Sequence, residues 1–386
     1  MDFSLKRFRA ICFGVMLLLG LNLSIYQSVI SDISDTFGFE GVFAGFLIAL
    51  YFLGALVIPA VGGSLGDRIG KKPALLAAAV VMLTGVVVVT QARHVVVLGL
   101  GIFLKGGGSC TLEGLLSAKI TDENPKSAEK MISYSQLFFC IGAVAGPLLA
   151  LAVRFLGGAW HTSLYVVAFL LIIVFAALWQ IPGDRQSIQK QNDVCPANRF
   201  VLFKDIRFIL FFVSMLLYVG AEEGVAFFVM DYFADMNAPS LGEISLSLFW
   251  GAMIFGRWIA GKLYRHAGKI MVLSLSLAAA SSFFLRFVEP PMISVFLFFA
   301  LGFGMAAVWP LLMAACTRTF HNTTGTAGGL MMTGGALGGM LMPMLIDALA
   351  ERGSIRDTLF VTTAAMLISM LLHICLQRMK DHSKTV

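Results

Sequence analysis

Apolar residues run through this chain in twelve long blocks, near residues 8–30, 41–64, 73–92, 95–118, 128–152, 163–181, 207–230, 241–264, 270–287, 292–315, 324–348 and 357–376. An α-helix of roughly 20 residues crosses about 30 Å of hydrocarbon, and each block reaches about that length. The pattern predicts an all-α membrane protein of twelve transmembrane helices. The short polar breaks between blocks are its loops. The longest break, residues 182–206, is polar and charged and divides the chain into an N-terminal six-helix bundle (1–181) and a C-terminal one (207–386).

Composition agrees. Apolar residues make up 58% and charged residues 13% of the chain, against about 25% charged in a soluble domain. Charge also orients the spans, because Lys and Arg in short loops stay cytoplasmic. With the N-terminus inside, 22 of the 28 Lys and Arg fall on the inner side and five (Arg93, Arg154, Arg286, Arg352, Arg356) on the outer side, Lys105 lying within the fourth span. Both termini are therefore expected in the cytoplasm, at the cytoplasmic membrane. The net charge of +6 is spread over loops with no basic stripe, so nucleic acid is not an expected partner. The first block, although it follows Lys6, Arg7 and Arg9, is too long for a signal peptide and reads as a retained helix. Cys12, Cys110, Cys140, Cys195, Cys316 and Cys375 show neither metal spacing nor a disulfide frame. No metal and no cofactor is expected.

The two halves repeat. The hinge Gly63-Ser64-Leu65-Gly66-Asp67-Arg68-Ile69-Gly70-Lys71-Lys72 recurs in degraded form as Gly261-Lys262-Leu263-Tyr264-Arg265-His266-Ala267-Gly268-Lys269, at a constant offset of 198 residues. The first copy resembles the G-x-x-x-D-R-x-G-R-K loop between the second and third helices of the major facilitator superfamily, with Lys71 in place of an arginine. The resemblance covers nearly the whole chain and implies two pseudo-symmetric six-helix bundles. It also implies a conformational switch at Gly63, Asp67, Arg68, Gly70, Lys71 and Lys72, in which the aspartate and cations engage a neighbouring helix end. A carboxylate such as Asp67 is in any case favoured beside a helix N-terminus.

Shorter stretches resemble the fucose permease-like branch: Gly108, Leu112 and Glu113; Gln136, Phe138, Gly142 and Ala143; Tyr218-Val219-Gly220-Ala221-Glu222; Gly302-Phe303-Gly304 through Trp309-Pro310; and Gly334-Gly335 with Gly338-Gly339 to Pro343. That branch implies sugar transport, commonly coupled to a cation. Two departures stand out. Asn22-Leu23-Ser24 replaces the branch's Asn-Asp pair in the first helix, and Ser117-Ala118 replaces its Asn-Pro after the fourth-helix glutamate.

Charges at bilayer depth cost about 2.5–3.5 kcal/mol each on insertion scales and mark pathways. Lys105 and Glu113 share the fourth span, about 12 Å and 80° apart. Glu222 and Glu223 point about 100° apart. Glu222 falls by the repeat at the level of Ser24, where the branch's acid is missing, and Glu223 reads as a structural partner, for Lys105. Trp309 overlays Thr111, near Glu113, which suggests an aromatic face and a carboxylate for a sugar. Substrate-binding candidates are Asn22, Gln27, Lys105, Glu113, Gln136, Glu222 and Trp309. Glu113 and Glu222 are the proton-coupling candidates.

The resulting expectation is a monomeric secondary transporter of a monosaccharide-like solute, working by alternating access with proton symport, Na+ being the alternative cation. Gly142 through Pro147 resembles the G-x-x-x-G-P element of drug/proton antiporters, which keeps export open as a second reading, and a non-transporting membrane receptor is a third. No G-x-x-x-x-G-K-[ST] loop and no nucleophile–base set is present, so neither ATP-driven transport nor an enzyme is expected.

Overall fold

A computed structural model of the chain describes residues 3–38, 42–181, 183, 199–238, 240–350 and 352–382. Most of the expected linker, with Cys195, lies outside the described residues. The described residues form α1 (Phe3–Thr36), α2 (Val42–Ile69), α3 (Lys71–Gln91), α4 (Val95–Glu123), α5 (Ala128–Phe155), α6 (Trp160–Trp179), α7 (Ile206–Asp235), α8 (Ser240–Lys262), α9 (Ala267–Leu285), α10 (Pro291–Met305), α11 (Val308–Thr319), α12 (Thr324–Ala350) and α13 (Ile355–His382), with short 3-10 turns at Arg199–Lys204 and Tyr264–His266. By length and apolar composition they supply twelve membrane spans, as expected.

The tenth span departs from the continuous helix expected over 292–315. It breaks at Ala306 and Ala307 into α10 and α11. Pro310 is the physical cause: it has no N–H to offer the carbonyl four residues back, and its ring collides with that carbonyl. Ala306 is the residue so released, and regular bonding resumes from Leu311 N–H to Ala307 O at 3.2 Å.

The chain divides into two compact units: Met1–Lys126 with Phe138–Phe200 and Thr317–Thr333, and Ser127–Leu137 with Val201–Cys316 and Gly334–Val386. In the first unit α4 packs on α2 and α3, and α6 on α1 and α3. In the second, α10 packs on α8 and α9, and α13 on α7 and α9. Each pairing in one unit has its counterpart six spans later in the other, so the duplication legible at the hinge extends to the packing. Glycine crossings repeat as well. A Cβ on Gly20 would fall on the Phe139 carbonyl and one on Gly142 on the Leu17 carbonyl, just as one on Gly338 would fall on that of Leu216. Such backbone-to-backbone approach is how helices associate where lipid removes the hydrophobic drive. Leu148, Leu151, Leu273 and Phe296 stand exposed, as suits a protein whose solvent is hydrocarbon.

Candidate functional site

The hinge builds the first of three polar clusters. Gly70, the N-cap of α3, has φ 95° and ψ 150°, a region essentially reserved for glycine. With that turn made, Lys71 Nζ reaches Asp67 Oδ1 at 3.5 Å and Asp122 Oδ2 at 2.6 Å. Asp67 then receives the start of α12. Its Oδ1 accepts the Gly325 N–H at 2.8 Å, and its Oδ2 accepts the Thr326 N–H at 2.6 Å and the Thr326 hydroxyl at 2.7 Å. The Thr324 hydroxyl donates to Asp122 Oδ1 at 3.0 Å. Asp67 therefore caps this helix N-terminus, with Asp122 held beside it through the Thr324 hydroxyl, where free N–H groups and the positive end of the helix dipole favour negative charge. Gly63 and Gly325 make the approach feasible, since a Cβ on Gly63 would fall on the Gly325 carbonyl. All of these residues belong to the first unit.

The second cluster surrounds Lys105, also in the first unit. Glycines on both sides decide its environment. A Cβ on Gly85 of α3 would fall on the Lys105 backbone, and one on Gly106 would fall on the Tyr51 carbonyl of α2. So held, the Lys105 side chain is fully buried. Its Nζ lies 4.3 Å from the ring centroid of Tyr26 and 5.3 Å from that of Tyr51. These two rings stack at 5.6 Å, and the Tyr26 hydroxyl donates to Leu47 O at 3.1 Å. Lys105 Nζ is buried and has no hydrogen-bond partner among the described residues. Asn22, one turn before Tyr26 on α1, is fully buried with neither amide atom partnered. A cation–π contact contributes about 2 kcal/mol when desolvated, whereas taking an ammonium out of water costs several kcal/mol. Aromatic rings therefore compensate this charge only in part.

The third cluster lies in the second unit and turns on Arg257, a residue grouped with the loop cations on sequence alone. It is instead 3% exposed and sits within α8. Its Nη1 donates to the Gln136 carbonyl at 3.0 Å and to Gln136 Oε1 at 3.4 Å. Its Nε donates at 3.4 Å to Ala306 O, the carbonyl that Pro310 releases. Its Nη2 stands 3.7 Å from Glu222 Oε1, which also accepts the Tyr218 hydroxyl at 2.9 Å. Trp309, 6% exposed, follows three residues after Ala306. A buried pair of this kind holds together mainly because losing one partner strands the other, at about 3–5 kcal/mol.

Of the sequence candidates, the structure thus brings Glu222 and Gln136 together through Arg257 and places Asn22 one turn from Tyr26, whose ring Lys105 faces. Glu113 is buried on α4, and Gln27 is exposed on α1. Missed on sequence were Arg257, whose signal was a cation inside an apolar block, and the Tyr26–Tyr51 pair, which comes from two helices and carries only the hint that Tyr26 follows Asn22 by four residues.

Twelve spans, a duplicated packing scheme and buried charges inside each unit define a membrane transport bundle. The sequence profile of the Major Facilitator Superfamily matches residues 12–343 and, in a second match, 267–384. The chain belongs to that family and is a multi-pass membrane transporter rather than an enzyme. It is 24% identical over 288 residues to the glucose/mannose transporter GlcP of Bacillus subtilis, covering 69% of this chain and 70% of the relative. It is 22% identical over 329 residues to a glucose/galactose transporter of Brucella abortus, covering 79% and 78%. Among solved structures, the E. coli fucose:proton symporter FucP superposes with a TM-score of 0.80 at 12% identity over 97% of this chain and 99% of that one.

Proposed function

We propose that the chain is a secondary active transporter that moves a monosaccharide-like polar solute across the cytoplasmic membrane, with both termini in the cytoplasm and a proton as the co-transported ion. The observation that carries the reading is the buried Glu222–Arg257–Gln136 cluster beside the break before Trp309. Discontinuous spans whose freed backbone groups face polar side chains are where transporters of this general design hold their solutes. A carboxylate, an amide and an indole supply what a sugar asks for, hydrogen bonds at its hydroxyls and a flat apolar face for its ring. Relatives named for glucose, mannose and galactose transport support the same choice.

In this scheme Asp67, Lys71 and Asp122 hold the start of α12 in one state of the cycle and release it in the other. Glu113 exchanges the proton, while Glu222, already engaged by Arg257 and Tyr218, binds solute hydroxyls. The test is uptake of labelled glucose, mannose and galactose into liposomes carrying the purified protein. Accumulation above equilibrium under an inward proton gradient, abolished by a protonophore, is expected. Accumulation driven by Na+ alone would replace the coupling ion, outward-only movement of apolar cations would establish export, and absence of sugar flux under every gradient would refute the reading.

A further inference from the structure

The Lys105 cluster has no use in the scheme above, and its chemistry is specific. An ammonium offers three N–H donors and one positive charge. Here it is enclosed with zero exposed surface and finds no acceptor. Asn22, a turn from Tyr26 on the same face of α1, adds two donors and one acceptor that are equally idle. A buried charge left uncompensated weakens the fold, and the π faces of Tyr26 and Tyr51 offset that penalty only in part. A neutral sugar could accept hydrogen bonds from Lys105 but could not neutralise it. A singly charged group does both. One lysine matches one carboxylate; a phosphate dianion would leave excess negative charge in the same dry surroundings.

Resting on the sugar reading above, we propose that Lys105, with Asn22 one turn from its covering Tyr26, binds the carboxylate of an acidic monosaccharide, so that the preferred solute is a hexuronate or aldonate rather than a neutral hexose. In the conformation described, Tyr26 and Tyr51 cover the ammonium in place of that carboxylate. Asn22 then hydrogen-bonds either the second carboxylate oxygen or an adjacent hydroxyl.

The experiment compares uptake of labelled glucuronate, gluconate and glucose by the full chain in liposomes, for the native protein and for Lys105→Met and Lys105→Arg. The expected result is at least a tenfold preference of the native protein for one of the acids over glucose. Lys105→Met should collapse the acid-to-glucose ratio at least tenfold, and Lys105→Arg should retain part of it. The melting temperature of the ligand-free protein in detergent gives a second, independent readout. Removing an uncompensated charge should raise it in Lys105→Met, whereas removing a purely structural cation–π contact would lower it. Transport of glucose but of neither acid, an unchanged selectivity ratio in Lys105→Met, or a lowered melting temperature would each overturn the assignment while leaving sugar transport standing. Movement of none of the three solutes would remove the sugar reading and this assignment together.

Discussion

Replacing Asp67 by asparagine exchanges one carboxylate oxygen for an amide nitrogen and should change the balance between states of the transporter. The native carboxylate accepts three hydrogen bonds from the first turn of α12 and faces Lys71 at 3.5 Å. Asparagine keeps one carbonyl acceptor and turns an NH2 toward a donor, so at least one charge-assisted bond is lost, a loss of about 1.5–3 kcal/mol. The lost charge at the helix N-terminus removes about 0.3–1 kcal/mol more. Lys71 keeps its closer partner Asp122 at 2.6 Å, so loss of the 3.5 Å pair with Asp67 adds little. A total of about 2–4 kcal/mol corresponds to roughly 30- to 700-fold in the equilibrium between the latched and open forms. Thr121 reports on it, being 3% exposed with its hydroxyl 2.8 Å from that of Thr317. In a protein whose six cysteines are replaced by serine, Thr121→Cys should react with a thiol reagent in detergent at least tenfold faster once Asp67→Asn is added. An unchanged labelling rate in a variant that still elutes as a monodisperse species would refute the latch energetics.

Glu113→Gln should abolish accumulation above equilibrium yet leave downhill exchange, while Glu222→Gln should chiefly weaken apparent affinity; the opposite split in a proteoliposome assay would move the proton to α7. Arg257→Met strands Glu222 and Ala306 O and should lower stability by about 3–5 kcal/mol, with Glu222→Gln in the same chain recovering part of the melting temperature. Asp205 caps α7 by accepting the Arg207 N–H at 2.9 Å, so Asp205→Ala should cost about 1 kcal/mol, read as faster amide exchange in the first turn. Hydrogen bonding to the Arg207 side chain holds the Asp205 carboxyl below its ordinary value. Its contribution is therefore present above the usual carboxylate range and fades as pH falls through the depressed value. Exchange in that turn should show that acid dependence in the native protein and not in the alanine variant.

The spans were legible because hydrocarbon admits few alternatives to a long apolar helix, and the hinge was legible because its pattern is contiguous. The far side of each interaction was not. Asp67 announced a helix end as its target, yet Gly325 and Thr326 lie 258 and 259 residues away, beyond any local pattern. Arg257 was grouped with loop cations because the last turns of an apolar block look the same whether they meet headgroups or other helices. The tyrosines beside Lys105 gave no sequence signal, because the energy of that pairing comes from ring faces contributed by different helices. The tenth span looked continuous because Pro310 can be tolerated within a membrane helix, and its consequence shows only when the carbonyl it releases is followed to its acceptor role.

That carbonyl ties two distant positions into one inheritance unit. Were Pro310 exchanged for a residue with an N–H, Ala306 O could be reclaimed by its own helix, and Arg257 would lose one of the acceptors that reconcile it with burial. Were Arg257 exchanged first, the released carbonyl and Glu222 would both be stranded. Either single step passes through a less stable protein, so among descendants of this chain the proline in the tenth span and the arginine in the eighth are expected to persist or disappear as a pair. A deep alignment of relatives should then show the two columns covarying, with a peptide oxygen as the messenger between them.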